Sequence, residues 1–437
     1  MRRTWGLVHR YVGLFIAGFL FLAGTTGALI SWDEELDAWL NPNFYLTASS
    51  GPYIEPFELA KRIEAADPRA WVKRMPLSYE RDKPAMFIIM PRGDPATGRL
   101  HELTYNELYF NPTTGVEVGR RKLGKAALDR PHFVAFLYKL HYTLHLPDML
   151  GIDRWGYWLM GGIALVWALD CFVGLYLTFP KWREARSTGG SGAGPDHDDF
   201  PRRGWMSRWR RSWTVRTGAG SYRFTFDLHR AAGLWMWLVL FIISFTAASQ
   251  NLFTELFRPA LKAVSSITPG PYDALKEQPL NKPVYPKLSF REAADIAKAD
   301  AMARGWAEPA ARIFYDQRYG YYSVSFYFPG EDRGTGGMGM KRTFFDATDG
   351  RLIGQRIPWH GTAADVFMQM QFPVHSGRIL GLPGRIMMSV MGLVVAGLSL
   401  TGVIIWFRKR RARTRPDRET TTPRLKASRA VPDVPMP

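Results

Sequence analysis

Four long apolar runs alternate with polar blocks along this chain. The runs are residues 11–32, 155–179, 231–253 and 386–407. A bilayer core needs about 20 apolar residues in helical form, so each run is long enough to span. Three carry no charge, and the second carries only Asp170. The polar blocks at 33–154 and 254–385 have a different texture. "EPFELAKRIEAA" places Phe57, Leu59, Ile63 and Ala66 on one helical side. "AMFIIM", "ELTYNELYF" and "VEVGRR" then read as strands, separated by turns at Gly93-Asp94, Pro112-Thr113 and Gly115. The second block repeats the order with "SFREAADIAKADAMARG", "ARIFYD", "YYSVSFYF" and "RTFFDATDGRLIG". The fold expected is an integral membrane four-helix bundle carrying two small α+β domains, each a helix on an antiparallel sheet.

The net charge of +18 would suit nucleic acid if it were spread over a domain. It is not. Residues 181–230 hold 11 basic and 5 acidic side chains, residues 408–437 hold 10 and 3, and Arg2, Arg3 and Arg10 precede the first span. These segments supply +16 of the total. By the positive-inside rule they are cytoplasmic, with both termini inside and the two large blocks outside. The charge is a topology signal and no nucleic-acid partner is needed. The expected organisation is span 1–32, external domain 33–154, span 155–179, basic loop 180–229, span 230–253, external domain 254–385, span 386–407 and a basic, disordered tail 408–437. The glycine-rich stretch 187–195 reads as a linker. The first apolar run is too long for a signal-peptide core and no clear A-x-A site follows it, so it reads as retained.

The halves repeat. His9-Arg10-x-x-Gly13-Leu14 returns as His229-Arg230-x-x-Gly233-Leu234, an offset of 220 that also pairs Glu35-Leu36 with Glu255-Leu256. "FNPTTGVEVG" matches "FDATDGRLIG", and "GLYLTFPKWR" matches "GVIIWFRKRR". His145 with Gly151 aligns with His375 and Gly381. Each half is therefore span, external domain, span.

Five of the nine histidines sit at span ends. His9 and His229 open spans one and three; His141, His145 and His375 lie at the outer ends of spans two and four. Imidazole is costly near hydrocarbon unless partnered or functional. Pairs from different helices, one pair at each membrane face, suit bis-imidazole ligation of haem iron. The repeat assigns His9 with His229 and His145 with His375; His141, four residues before His145, shares its helical face and is the reserve ligand. Gly13, Gly18, Gly24, Gly233 and Gly392 would admit a flat ring. Arg10, Arg230, Arg378 and Arg385 follow the histidines and could meet propionates. His132, His360, His101 and His197 read as structural or exposed. Asp170 should face the bundle interior, bonded to Ser399 or Thr401, or else contact a proton or quinol.

Other chemistries are excluded or weakened. One cysteine, Cys171, rules out a disulfide framework, a zinc ribbon and a thiolate-held iron–sulfur cluster. No H-E-x-x-H, G-x-S-x-G, Walker loop or G-x-G-x-x-G is present. The basic loop is too short for a flavin or nicotinamide domain, so the electron donor is a separate cytoplasmic partner or a quinol.

"HRYVGL" and "HRAAGL", "LYKLHYTLHLP", "ALDCFVGLYLTFPKW", "FPVHSGRILGLPGR" and the two Thr-Gly-type turns together resemble the PepSY-associated transmembrane family, which includes inner-membrane siderophore reductases. The resemblance covers about residues 1–410; the turns read "NPTTG" and "DATDG" where the family has Asp-Pro-x-Thr-Gly. It implies PepSY modules outside a bacterial inner membrane, two haem b groups in the bundle, and reduction of a ferric siderophore in the periplasm. Reduction releases iron because hard oxygen ligands hold Fe(III) better than Fe(II). No protein nucleophile or general base is required. Tyr315, Tyr321, Tyr322, Trp359 and Gln371 are candidate substrate contacts. Alternatives are a quinol-linked b-type cytochrome with another acceptor, and a non-enzymatic PepSY binding module.

Overall fold

The computed structural model describes residues 1–150, 152–181, 204–279 and 282–414. The expected linker at 187–195, His197 and residues 415–437 lie outside the described residues. The helices that matter for the site are, in chain order, α1 (Arg2–Ile30), α2 (Pro56–Ala66), α3 (Phe133–Thr143), α4 (Trp155–Thr178), α5 (Ser221–Trp235), α6 (Trp237–Asn251), α7 (Phe290–Ala303), α8 (Ala363–His375) and α9 (Gly381–Thr414).

Among the described residues α1, α4 and α9 are long and apolar enough to cross a membrane. This is a membrane protein. The third expected span is not one helix: α5 and α6 meet at a 69° bend around Met236. The tryptophans flanking the bend are tied to different elements, Trp235 Nε1 donating to the Trp213 carbonyl and Trp237 Nε1 to the Cys171 carbonyl in α4. Residues 408–414 of the expected disordered tail are helical instead, because α9 runs on to Thr414. Helix α1 packs along α9, and α4 along α6. At the α1–α9 crossing the backbones touch: a Cβ on Gly24 would lie 2.5 Å from the Gly392 carbonyl oxygen, so neither position tolerates a side chain.

The strands are β1 (Ala70–Pro76), β2 (Ala85–Pro91), β3 (Glu107–Phe110), β4 (Glu117–Arg121), β5 (Ala310–Asp316), β6 (Tyr321–Phe326), β7 (Lys341–Asp346) and β8 (Leu352–Arg356). The expectation of two separate sheets is corrected. All eight strands form one antiparallel sheet in the order β4-β3-β2-β1-β5-β6-β7-β8, joined where β1 pairs with β5 through Met75–Ile313. Pairing the two free edges in this way removes an exposed ladder from each half. Helices α2 and α7 cover one face. Leu59 and Ile63 from α2, Ala293 and Ala297 from α7, and Val72, Phe87, Ile313 and Tyr322 from the strands share a single core. Full burial of each large apolar side chain contributes about 1.5–3 kcal/mol.

Local chemistry fixes the element ends. Ser289 and Glu292 form a capping box on α7, and Thr362 and Asp365 form one on α8. The two Thr-Gly-type turns have the same geometry despite their different letters. Asn111 Oδ1 accepts from the Thr113 amide and hydroxyl, and Asp346 Oδ1 accepts from those of Thr348. Gly115 and Gly350 follow at φ +72° and +74°, conformations that favour glycine.

The sheet is bolted to the helices by charge. Buried Asp37, just after α1, accepts from Arg121 at 2.7 Å and Tyr45 at 2.8 Å, and Arg121 also holds Glu107 at 2.6 Å. Asp33 accepts from Arg378 at 2.8 Å, and Glu34 pairs with Arg333.

Candidate functional site

Two pairs of imidazoles face each other between the apolar helices. The rings of His9 (α1) and His229 (α5) have centres 6.4 Å apart, and those of His141 (α3) and His375 (α8) lie 6.2 Å apart. A transition-metal–imidazole bond is about 2.0–2.1 Å, so two rings sharing one metal in line have centres roughly 6 Å apart. Both pairs match that spacing.

Every ring is held through the same atom. His9 Nδ1 is 2.9 Å from the Asp170 carboxylate, His229 Nδ1 2.9 Å from Thr401 Oγ1, and His375 Nδ1 3.0 Å from Thr246 Oγ1. His141 Nδ1 reaches Thr26 Oγ1 at 3.1 Å and the Ala23 carbonyl at 3.0 Å. Thr26 and Thr246 each donate their hydroxyl back to a carbonyl of their own helix, Leu22 and Ile242. Among the described residues no protein hydrogen bond engages Nε2 of any of the four. An Nδ1–H fixed by a carboxylate, hydroxyl or carbonyl sets the tautomer and directs the Nε2 lone pair, as in metal-ligating histidines generally. A 17-residue stretch of α1 separates His9 from Thr26, about 25 Å of helix rise, so the pairs lie near opposite ends of the apolar segment.

The residues fit a planar ligand that brings its own equatorial donors. Among the described residues no three His, Cys, Asp or Glu side chains converge as a metal site, whereas two imidazoles suffice as axial ligands. Gly13 and Gly233, one turn beyond the inner histidines, leave open space where a side chain would project: a Cβ meets nothing within 4 Å at the first and only Leu398, at 4.0 Å, at the second. A cavity of about 360 Å³ surrounds the outer pair, walled by Gly24, Gly27, Tyr142, Trp167, Met391 and Arg378.

The outer pair is not the one expected. His145 does not approach His375. Helix α3 ends at Thr143, Leu144 and His145 both take positive φ (55° and 52°), and the His145 ring stacks on Phe136 with Nε2 on the Phe136 carbonyl. His141, the reserve, stands in its place. The physical cause is four extra residues in the non-helical connection after α3: ten positions separate His141 from Gly151, but six separate His375 from Gly381. Matching the glycines without a gap therefore moved the histidine by four positions.

Other expectations are also revised. Asp170 is bonded to His9 rather than to Ser399 or Thr401. Arg378 lines the outer cavity, but Arg385 is committed to Glu35 and the Ser31 carbonyl, and Arg230 to buried Asp227 and loop carbonyls. Arg10 is half-buried. Tyr315, Tyr321 and Tyr322 cannot be surface contacts, being buried in the sheet, where the Tyr322 hydroxyl donates to the Leu288 carbonyl. Gln371 is buried against Ser249, while Trp359 is exposed and donates to the Thr335 carbonyl. His132 is tied to Asp129 and His360 to the Pro358 carbonyl. The residues missed were Thr26 and Thr246, and Thr401, expected beside Asp170, serves His229 instead. The offset of 220 that pairs His9 with His229 also pairs Thr26 with Thr246, and Ala23 with Ile243.

The family model described as the PepSY-associated TM region matches residues 7–409. The chain belongs to the PepSY-associated TM family. The match runs from α1 into the last turns of α9, so both histidine pairs and the whole sheet of this PepSY-associated chain fall within it. No curated protein matches the chain significantly.

Proposed function

We propose that the protein is a di-haem inner-membrane reductase that delivers electrons across the bilayer to a ferric siderophore in the periplasm and releases Fe(II). The observation that carries this reading is the pair of facing histidine sets, each ring fixed at Nδ1 and spaced for a shared metal. On this reading His9 and His229 hold one haem b, and His141 and His375 the other. When bound, haem supplies a one-electron iron centre at each end of the apolar segment.

The chain's own residues do the positioning. Asp170 orients His9, Thr401 orients His229, and Thr26 and Thr246 orient His141 and His375. Asp170 is the single carboxylate among these four partners. Mostly apolar side chains wall the outer pair, and Arg378 presents a cation to its cavity.

The four apolar segments form a four-helix bundle built from two sequence repeats, with the bent α5–α6 pair as its third member. Basic residues flank the ends carrying His9 and His229, which supports a cytoplasmic side there and a periplasmic sheet. The donor is a cytoplasmic partner or a membrane quinol.

The test is a reduced-minus-oxidised absorption spectrum of the detergent-purified protein with a haem-per-chain count, followed by addition of ferric chelates to the reduced form. Two low-spin b-type haems and rapid reoxidation by ferric chelate support the reading. Two haems unreactive towards ferric chelates would favour a cytochrome with another acceptor. No haem, after expression with ample haem supply, would leave a PepSY binding module.

A further inference from the structure

The sheet has a second face, away from α2 and α7, and it carries an unusual row. Residues directly opposite one another across strands point the same way. Arg312 in β5 is opposite Ser325 in β6, Ser325 is opposite Arg342 in β7, and Arg342 is opposite Arg356 in β8. Arg74 in β1 joins them beside Phe314. Like charges directly opposite each other weaken a sheet, so this arrangement is costly to the fold taken alone.

None of the four has a carboxylate within ion-pair distance among the described residues. Their acceptors are weak ones. Arg74 Nη2 reaches Met86 Sδ at 3.4 Å, Arg312 Nη2 reaches Met340 Sδ at 3.1 Å, and Arg356 Nη2 reaches the Met338 carbonyl at 3.4 Å. Arg74 Nε is buried with no hydrogen-bond partner. Burial and the neighbouring guanidiniums push Arg74 and Arg342 down to about 10, low for arginine yet still charged at neutral pH.

Arg342 and Arg356 open into a pocket of about 380 Å³ closed by Arg333, Arg378, Phe372 and Pro373. Its acidic wall residue Glu34 is already paired with Arg333, and Asp33 with Arg378. Asp332 is the other acid on the wall. Arg378 and Phe372 line this pocket on one side and the outer histidine cavity on the other.

We propose that this arginine pocket binds a multiply charged, oxygen-rich anion of the carboxylate or phosphate class, and that its occupant is an anionic ferric chelate awaiting reduction beside the outer histidine pair. The anion site stands on the arginine row; its identification with the chelate rests on the reductase reading. Guanidinium forks match such oxyanions in bidentate geometry, and the weak sulfur and carbonyl acceptors are readily exchanged for them.

The experiment is calorimetric titration of ferric citrate into the full-length, haem-loaded protein in zwitterionic detergent, with R342Q, R356Q and the double variant. Arg351→Gln, outside the pocket, is the control. The expected result is saturable binding that weakens with salt, falls about tenfold or more in each single variant and further in the double one. Melting temperatures should be unchanged or higher, because like-charge repulsion is relieved. A lower melting temperature with unaltered citrate affinity would make the arginines structural and overturn the proposal. A neutral ferric trihydroxamate should bind without sensitivity to these variants; equal sensitivity overturns the charge argument.

Citrate binding confined to haem-free protein would assign the pocket to haem propionates and overturn it. Competition of citrate by phosphatidylglycerol nanodiscs, but not by phosphatidylcholine, would support the oxyanion site and overturn the chelate as its occupant. The two readings part cleanly. Arginine-dependent binding with no electron transfer to bound chelate removes the reductase reading and keeps the anion site. Ferric citrate reduction with the same KM in all variants does the reverse.

Discussion

The sharpest discrimination the structure offers is between two histidines four residues apart. His141 faces His375 at 6.2 Å between ring centres, whereas His145 stacks on Phe136 at 4.5 Å and bonds its carbonyl at 2.9 Å. On the di-haem reading, His141→Ala removes one axial ligand. For His145 to substitute, it must abandon its stacking contact, about 0.5–1.5 kcal/mol, and its hydrogen bond, about another 0.5–1.5 kcal/mol. It must also rebuild a helix end in which residues 144 and 145 hold positive φ. A cost of roughly 1–3 kcal/mol before any backbone change leaves rescue at about a sixth of the chains or fewer. Haem content in H141A should therefore fall from two per chain to one, with the spectrum of the inner site intact. H145A should keep two, with a modest loss of thermal stability. Pyridine haemochrome counting on both variants, normalised to protein, checks this. Two haems in H141A and one in H145A would refute the assignment and the geometry behind it.

Further outcomes follow from the same contacts. Asp170→Ala frees His9 Nδ1 and should weaken cofactor retention at the inner pair by about 10–100-fold, leaving the outer pair unaffected in a dilution-and-spectrum assay. Asp37→Ala removes one of the two carboxylates on Arg121, whose side chain is 10% exposed and which keeps Glu107, and should destabilise the sheet's attachment by about 1.5–3 kcal/mol, seen as a lower melting temperature and new proteolytic cleavage. Acid sensitivity has an identifiable contributor outside the membrane. The Arg69 side chain, with the Tyr105 hydroxyl, holds the Asp67 carboxyl down to about 2 from 3.8. A depressed folded value contributes stability above the unfolded one and loses it as pH falls. Denaturation followed from pH 5 to pH 2 should be shallower in Asp67→Asn than in the parent.

The apolar stretches and the helix–strand order within each block were legible along the chain, because each depends on local periodicity or composition. So were His9, His229 and His375, whose spacing from span ends is a sequence property. The repeat even contained Thr26 and Thr246, which pass unnoticed because threonine is common in membrane helices and its role depends on what lies opposite.

Tertiary structure decided the rest, and the reason is the same throughout. A gapless alignment cannot show that the connection after α3 holds four extra residues, and so cannot choose between His141 and His145. Edge pairing of β1 with β5 joins residues more than 200 positions apart in sequence, and no strand pattern announces its partner. Asp170 reads as an isolated charge in an apolar run until α4 is packed against α1 and the carboxylate meets His9 Nδ1. The arginines of β5, β7 and β8 look like ordinary strand charges until antiparallel register sets them in one row. Sequence fixes which residues a helix or strand presents; only packing determines which of those surfaces meet, and the candidate chemistry of this protein lies where they do.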